Sequence, residues 1–265
     1  FILLIFCFSL TVISCGDLKE ESTTTDTTAP VIAEVTAVTT PTNDSTPDYT
    51  FSSDEAGTIT YGGSCSSSTS IVISGNNTIT LNSLSDGTYS DCTIAIRSST
   101  GYLSNILTIT SFIVDSTAAT LTEVTAVTTT NDNTPNYIFS SSEAGTITYG
   151  GSCSSSTTSV TTGSNTITLV SLSEGTYSDC TITVTDTSSN SVTLNISSFV
   201  IDTTAPTVSS ISPEDNQRWV SNIDNISVTF SEPMDTTSVT TNTSNTLCSG
   251  SLQLSSDNFS SCVKM

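Results

Sequence analysis

The chain has 265 residues, 25 of them acidic and four basic, a formal net charge of −21, and no histidine. The missing histidine excludes Ser-His-Asp and Cys-His catalysis and His-ligated zinc or haem. The negative charge repels nucleic acid and anionic lipid headgroups, so no nucleic-acid partner is expected.

At the start, Phe1 to Ile13 reads FILLIFCFSLTVI. This apolar run is too short for a membrane span and has the character of a signal-peptide h-region. It lacks an initiator Met and a basic n-region, so residues 1–14 read as a signal peptide with a truncated start. Val12-Ile13-Ser14-Cys15-Gly16 resembles the bacterial lipobox. The resemblance implies cleavage before Cys15 and lipidation of that residue. Gly16 in the second mature position implies sorting to the outer membrane, facing the surface or the periplasm. Residues 15–28 hold almost nothing apolar and are expected to form a disordered, lipid-anchored tether.

Next comes a sentence written twice. From Glu34 the chain reads EVTAVTTPTNDSTPDYTFSSDEAGTITYGGSCSSS, and from Glu123 EVTAVTTTNDNTPNYIFSSSEAGTITYGGSCSSS. Cys65 and Cys92 recur as Cys153 and Cys180, a shift of 88 residues. That length is a small domain rather than a solenoid repeat. In the first copy, residues 29–115, apolar and polar positions alternate over Val31 to Val38, Asp48 to Ser52, Gly57 to Gly62, Asn77 to Leu84, Gly87 to Arg97 and Leu103 to Val114. Each stretch predicts a strand, and the Asn-, Asp- and Gly-rich segments between them predict turns. Short strands without helical periodicity predict a β-sandwich, repeated over residues 116–204. Cys92 shares a strand face with Ile94 and Ile96, so it should point into the core and meet Cys65 there.

Eight cysteines are present. Cys7 leaves with the signal peptide and Cys15 takes lipid. The other six form local pairs: Cys65 with Cys92, Cys153 with Cys180, and Cys248 with Cys262. The first two share one spacing of 27 residues, which predicts a disulfide within each repeat and an oxidising compartment. With no CxxC pair and no histidine, a zinc site is not expected.

Asp202-Thr203-Thr204-Ala205-Pro206, echoed by Thr27-Thr28-Ala29-Pro30, resembles the junctions of bacterial immunoglobulin-like arrays. Leu84-Ser85-Asp86-Gly87-Thr88-Tyr89 resembles the entry to a late strand of such domains, where the Tyr forms a corner. Neither repeat holds a Trp, and the Cys stands three residues after Tyr89, so the disulfide departs from the antibody pattern. Residues 205–265 resemble an incomplete SbsA-type bacterial Ig-like domain. The carriers are Ile211-Ser212-Pro213-Glu214-Asp215 and Ile226-Ser227-Val228-Thr229-Phe230-Ser231-Glu232-Pro233-Met234-Asp235, the latter a strand with Ile226, Val228 and Phe230 inward. The resemblance implies an all-β chain of tandem Ig-like sandwiches serving as stalk, spacer or adhesive module.

Carboxylates at the domain seams are the candidate metal ligands: Asp115 and Asp202 close the two repeats and could hold calcium, which prefers several oxygens. Asp44, Asp54, Glu55, Asp86, Asp132, Glu143 and Glu174 are further loop acids, without a DxDxD run or EF-hand. The Ser64 to Ser70 stretch has no base to activate a nucleophile. Tyr61, Tyr89, Tyr149 and Tyr177 read as core or corner residues. The expectation is a non-catalytic, membrane-anchored surface lipoprotein whose partners are an extracellular protein or a glycan. Two alternatives stay open: a stalk for an enzyme or receptor domain beyond residue 265, and a calcium- or carbohydrate-binding module.

Overall fold

The computed structural model describes residues 26–214, 217, 225–245, 247–255 and 260–264. Cys15, the apolar run and most of the tether lie outside them. The described residues contain strands and no helix, and they divide into two compact units. The first runs through Thr120 and adds Ser142–Thr146 and Val184–Val192; the second holds Leu121–Ser141, Ile147–Thr183 and Thr193 onward.

The first repeat has nine strands: β1 (Ile32–Thr36), β2 (Asp48–Ser53), β3 (Gly57–Gly62), β4 (Ile71–Val72), β5 (Gly75–Thr80), β6 (Gly87–Tyr89), β7 (Thr93–Ser98), β8 (Leu107–Thr108) and β9 (Phe112–Val114). They form a β1-β2-β5 sheet, a β4-β3-β7-β8 sheet and a β6-β9 pair. Side chains alternate about the pleat, so Tyr49, Phe51, Ile79, Ile94 and Ile96 all point into one core. Fully burying one such aliphatic or Phe side chain contributes about 1.5–3 kcal/mol.

Two expected strands are each two strands. The chain leaves Gly87–Tyr89 at Ser90 and resumes at Thr93, because β6 pairs with β9 whereas β7 pairs with β3 and β8. The stretch from Leu103 divides for the same reason, into β8 on β7 and β9 on β6. The strand expected to run on to Leu84 stops at Thr80; Leu81 and Leu84 stay buried by donating their N–H groups to Pro47 and Ser45.

The second repeat gives β10 (Leu121–Thr125), β11 (Asn136–Ser141), β12 (Gly145–Gly150), β13 (Ser159–Val160), β14 (Gly163–Thr168), β15 (Gly175–Tyr177), β16 (Thr181–Thr185), β17 (Ser191–Asn195) and β18 (Phe199–Ile201). Its sheets are β10-β11-β14, β13-β12-β16-β17 and β15-β18. Beyond it, β19 (Val208–Ser212) pairs antiparallel with β20 (Ser227–Phe230). Here Ile226 is exposed and only Val228 and Phe230 are half-buried, against the expectation that all three face inward. The strand starts one residue later, and its partner β19 is exposed along its whole length.

Three disulfides join Cys65 to Cys92, Cys153 to Cys180 and Cys248 to Cys262. The first links the end of β3 to the start of β7, adjacent strands of one sheet. It therefore extends a ladder instead of crossing between sheets. Gly63 permits the approach: its φ is +73°, and a Cβ there would lie 2.0 Å from the Asp91 carbonyl oxygen.

Two polar pins recur in both repeats. The Tyr89 hydroxyl donates to the Ser85 carbonyl at 2.8 Å, and Tyr177 donates to Ser173. Glu34, at the β1 bulge, accepts hydrogen bonds from the Thr110 backbone and hydroxyl at 3.0 and 2.7 Å, as Glu123 does from Ser197. Partial burial pushes the Glu34 carboxyl up, but the Thr110 bonds outweigh it and hold it below its ordinary value.

Replacing Cys65 and Cys92 together by Ala is expected to cost about 3–4 kcal/mol on the chain-entropy view of a loop this long. Calorimetry should show a lowered melting transition, and reductant on the parent chain, which opens all three disulfides, should lower it at least as far. A melt unmoved by either treatment would contradict a staple at this point.

Candidate functional site

Asp115 follows β9 and starts the connection to the next repeat. Its Oδ1 accepts the Thr117 N–H at 3.3 Å and its Oδ2 the Ser188 hydroxyl at 3.0 Å. The Asn190 side chain donates to the Asp115 carbonyl at 2.8 Å. Asp186, at the end of β16, is 8% exposed. Its carboxylate is caged by its own turn, accepting the N–H groups of Ser188 and Asn190 and the Asn190 side-chain amide. Glu143 stands in the β11–β12 turn. One carboxylate oxygen each from Asp115, Glu143 and Asp186 lies within 4.8 Å of the others, and all three residues belong to the first compact unit.

The electrostatics follow from the crowding. Burial, then the charges of Asp115, Asp186 and Asp86, push the Glu143 carboxyl above its ordinary range. Asp86 goes the other way: the Thr117 hydroxyl, with the Ser116 N–H and hydroxyl, holds it low. The result is a set of hard oxygen donors with one carboxylate under repulsion, the kind of donor that a hard cation takes.

The same pattern of acids recurs. Thr28 donates its N–H and hydroxyl to Asp26, and its hydroxyl also lies 2.9 Å from Glu55 Oε1. Farther along, Thr204 donates its N–H to Asp202 and its hydroxyl to Glu174. Glu174, Asp202, Thr204, Ser231 and Glu232 line one groove within the second unit, and Glu232 Oε1 is buried with no hydrogen-bond partner among the described residues.

Of the residues named from sequence, Asp115 lies in the carboxylate group, whereas Asp202 lies in the groove of the second unit. The six paired cysteines are in disulfides, and Cys15 is outside the described residues. Sequence reading passed over Asp186. Superposing the repeats in register could have found it, since Ser98 of the first repeat becomes Asp186 in the second.

Residues 202–261 match the family model described as Bacterial Ig-like domain. The match begins three residues before the expected boundary at 205, so it takes in the last three residues of the second repeat and none of the first. Among solved structures, the chain is similar to the D00-D0 domain of intimin at 14% identity and a TM-score of 0.33, over 64% of this chain and 99% of that one. It is also similar to the SGBP-B protein of a Bacteroides ovatus mixed-linkage glucan utilization locus, solved with a heptasaccharide. That match has 15% identity and a TM-score of 0.18, over 58% of this chain and 42% of that one. Among curated proteins nothing matches.

Glu143→Gln gives a pH-dependent test. A carboxyl raised in the folded state opposes folding once ionised. The penalty is absent below the ordinary glutamate value, about pH 4, grows as pH climbs through the raised value, and is complete above it. The variant should therefore melt higher than the parent at pH 7 and match it near pH 4. A shift of equal size at both pH values would mean that charge repulsion is not the cause.

Proposed function

We propose that this chain is a non-catalytic bacterial surface lipoprotein, anchored through an acylated Cys15, that projects Ig-like sandwiches as a stalk or adhesive array. The domains of this reading are 29–115, 116–204 and 205–265. The observation that carries it is the duplication. The two copies share their core, disulfide, Tyr corner and Glu clasp, all of them scaffold features. Evolution by tandem copying lengthens a scaffold without multiplying a reaction centre.

The tyrosines weigh against glycan stacking in the repeats. Tyr61, Tyr89, Tyr149 and Tyr177 are half-buried and donate their hydroxyls to backbone carbonyls. Among the described residues no helix is long and apolar enough to cross a membrane. This reading assigns attachment to the acyl group on the strength of the lipobox resemblance at Cys15. Each buried CH₂ of such a chain contributes about 0.8 kcal/mol, and more than one chain makes anchoring durable. A functional domain beyond residue 265 is compatible with the same stalk.

Cys15→Ser should move the chain from the membrane pellet to the soluble fraction and abolish labelling by a fatty-acid probe. A variant that stays in the pellet would overturn the anchor.

A second reading, calcium binding, is favoured by the Asp115, Glu143 and Asp186 carboxylates. Several of their lone pairs already accept protein hydrogen bonds, so the expected affinity is that of extracellular modules, about 10⁻⁴–10⁻³ M. Millimolar calcium should then raise the melting temperature of the parent but not of Glu143→Gln. An equal rise in both, or in neither, would remove calcium from this site.

A further inference from the structure

The two repeats differ most at one end. There the β2–β3 turn at Asp54, the β4–β5 connection at Ile73 and the turn after β7 come together with the entering chain. Val31 and Asp54 exchange hydrogen bonds, Ser74 donates to the Asp54 carbonyl, and Ser98 bonds Tyr102 across the turn. This end and its flanking edges expose Val31, Ile71, Ile73, Tyr102, Leu103 and Ile106. Ile71 and Ile106 are each 72% exposed, which no core role explains.

The hydrogen bonds give the counterparts in the second repeat. Asp54 donates its N–H to Val31 as Ser142 does to Thr120, and Ser98 to Tyr102 as Asp186 does to Asn190. The N–H of Ile73 bonds Asn77 as that of Thr161 bonds Asn165. Ile109 and Ile196 bond the two cysteine carbonyls and fix the count on β8 and β17. The six apolar residues thus correspond to Thr120, Ser159, Thr161, Asn190, Ser191 and Thr193, all small and polar. The buried residues of the repeats scarcely differ, so the scaffold does not require the change.

The two ends also receive different chain. In the second repeat this end carries Ser188 and Asn190, which hold Asp115. In the first repeat it receives the segment from Asp26, whose Thr28 bonds Glu55. Gly16 to Ala29 is 14 residues, which fully extended reach at most about 50 Å from Cys15, and any less extended path brings this end nearer. The apolar rim thus stands at the end of the folded chain to which the segment from Cys15 is joined, within reach of the acyl group.

We propose that this rim of the first repeat docks on a zwitterionic lipid surface beside the anchor, with Tyr102, Leu103 and Ile106 entering the headgroup boundary. The proposal rests on the reading of Cys15 as acylated. Aromatic and aliphatic side chains are suited to that boundary. The occupant is zwitterionic because this end holds both signs, Asp54 and Glu55 with Arg97, whose guanidinium donates to the Gly101 carbonyl, while the net charge of −21 disfavours an anionic surface. Docking would fix how the array stands on the membrane instead of letting it swing on its tether.

The test uses the full chain on phosphatidylcholine vesicles containing a dibromo-phosphatidylcholine, which quenches tryptophan only on contact. Ile106→Trp and Thr193→Trp place reporters at equivalent, exposed positions of the two repeats, read above the constant Trp219 background. The expected result is a blue shift and loss of emission for Ile106→Trp and no change for Thr193→Trp. Equal quenching at both sites, or none at either, overturns the proposal. So does a blue shift of Ile106→Trp that appears without lipid and grows with protein concentration, which would make a second copy the occupant. Intact mass of the membrane-derived chain reads acylation separately. An acylated chain without quenching at Ile106→Trp sinks docking alone, and an unmodified Cys15 sinks the anchor. In that case the same reporters on chain mixed with vesicles still decide whether the rim meets lipid.

Discussion

Scarcity of apolar side chains is the constraint on which each repeat depends. The first repeat closes its sheets over 16 buried hydrophobic residues, and two of those are the cysteines of its disulfide. A core of that size leaves a thin margin over the conformational entropy lost on folding. The bond between Cys65 and Cys92 reduces the freedom of the unfolded chain where side-chain burial is thin. Its place at the end of the β3–β7 ladder also matters. Beyond that point the Ser-rich segment 66–70 has little of its own to pack, and it is tied down by Ser66 and Ser67 bonding the strand opposite.

Side-chain hydrogen bonds do the rest of the closing. Glu34 and Glu123 each sit at a bulge in the first strand of their repeat and reach the residue where the chain passes from one strand pair to another. Tyr49 and Tyr137 lie beneath them. Burial, together with the neighbouring Glu carboxylate, pushes both phenols up, so they stay neutral throughout the physiological range. A protein composed largely of Ser and Thr thus gains rigidity from many short polar links, each modest and each local.

Composition and period made the fold class legible: alternation gave strands, Gly and Asn gave turns, and equal cysteine spacing gave the staples. Strand ends were not legible. Gly87 to Arg97 and Leu103 to Val114 alternate without interruption, yet each breaks where the backbone changes partners, and partner choice is a tertiary property. β4 has only two residues and leaves too short a pattern to read. The carboxylate group was half legible. Asp115 closes its repeat and is visible as a seam residue, but Glu143 and Asp186 come from turns far away in sequence, which only the folded loops bring within reach. Asp202, the obvious partner by analogy, lines the groove of the second unit and is not in the carboxylate group. Equivalent positions in a tandem array mark parallel sites and do not by themselves meet.

That last point governs how an array of this kind acquires function. Copying preserves the buried half of each strand, because any change there costs stability that a thin core cannot spare. The outward half is free to diverge, and the sign of the divergence is informative. Where an end of the second repeat meets chain carrying Asp115, it presents Ser188 and Asn190, whose hydrogen bonds suit a polar neighbour. Where the first repeat meets the segment leading from Cys15, the matching positions hold Tyr102 and Leu103. Exposed apolar groups are tolerated in isolation, but a set concentrated at one end of one copy, and absent from its twin, is hard to attribute to drift on a common scaffold. The difference between copies, more than the sequence they share, therefore indicates which surfaces of this chain are shaped by what they touch.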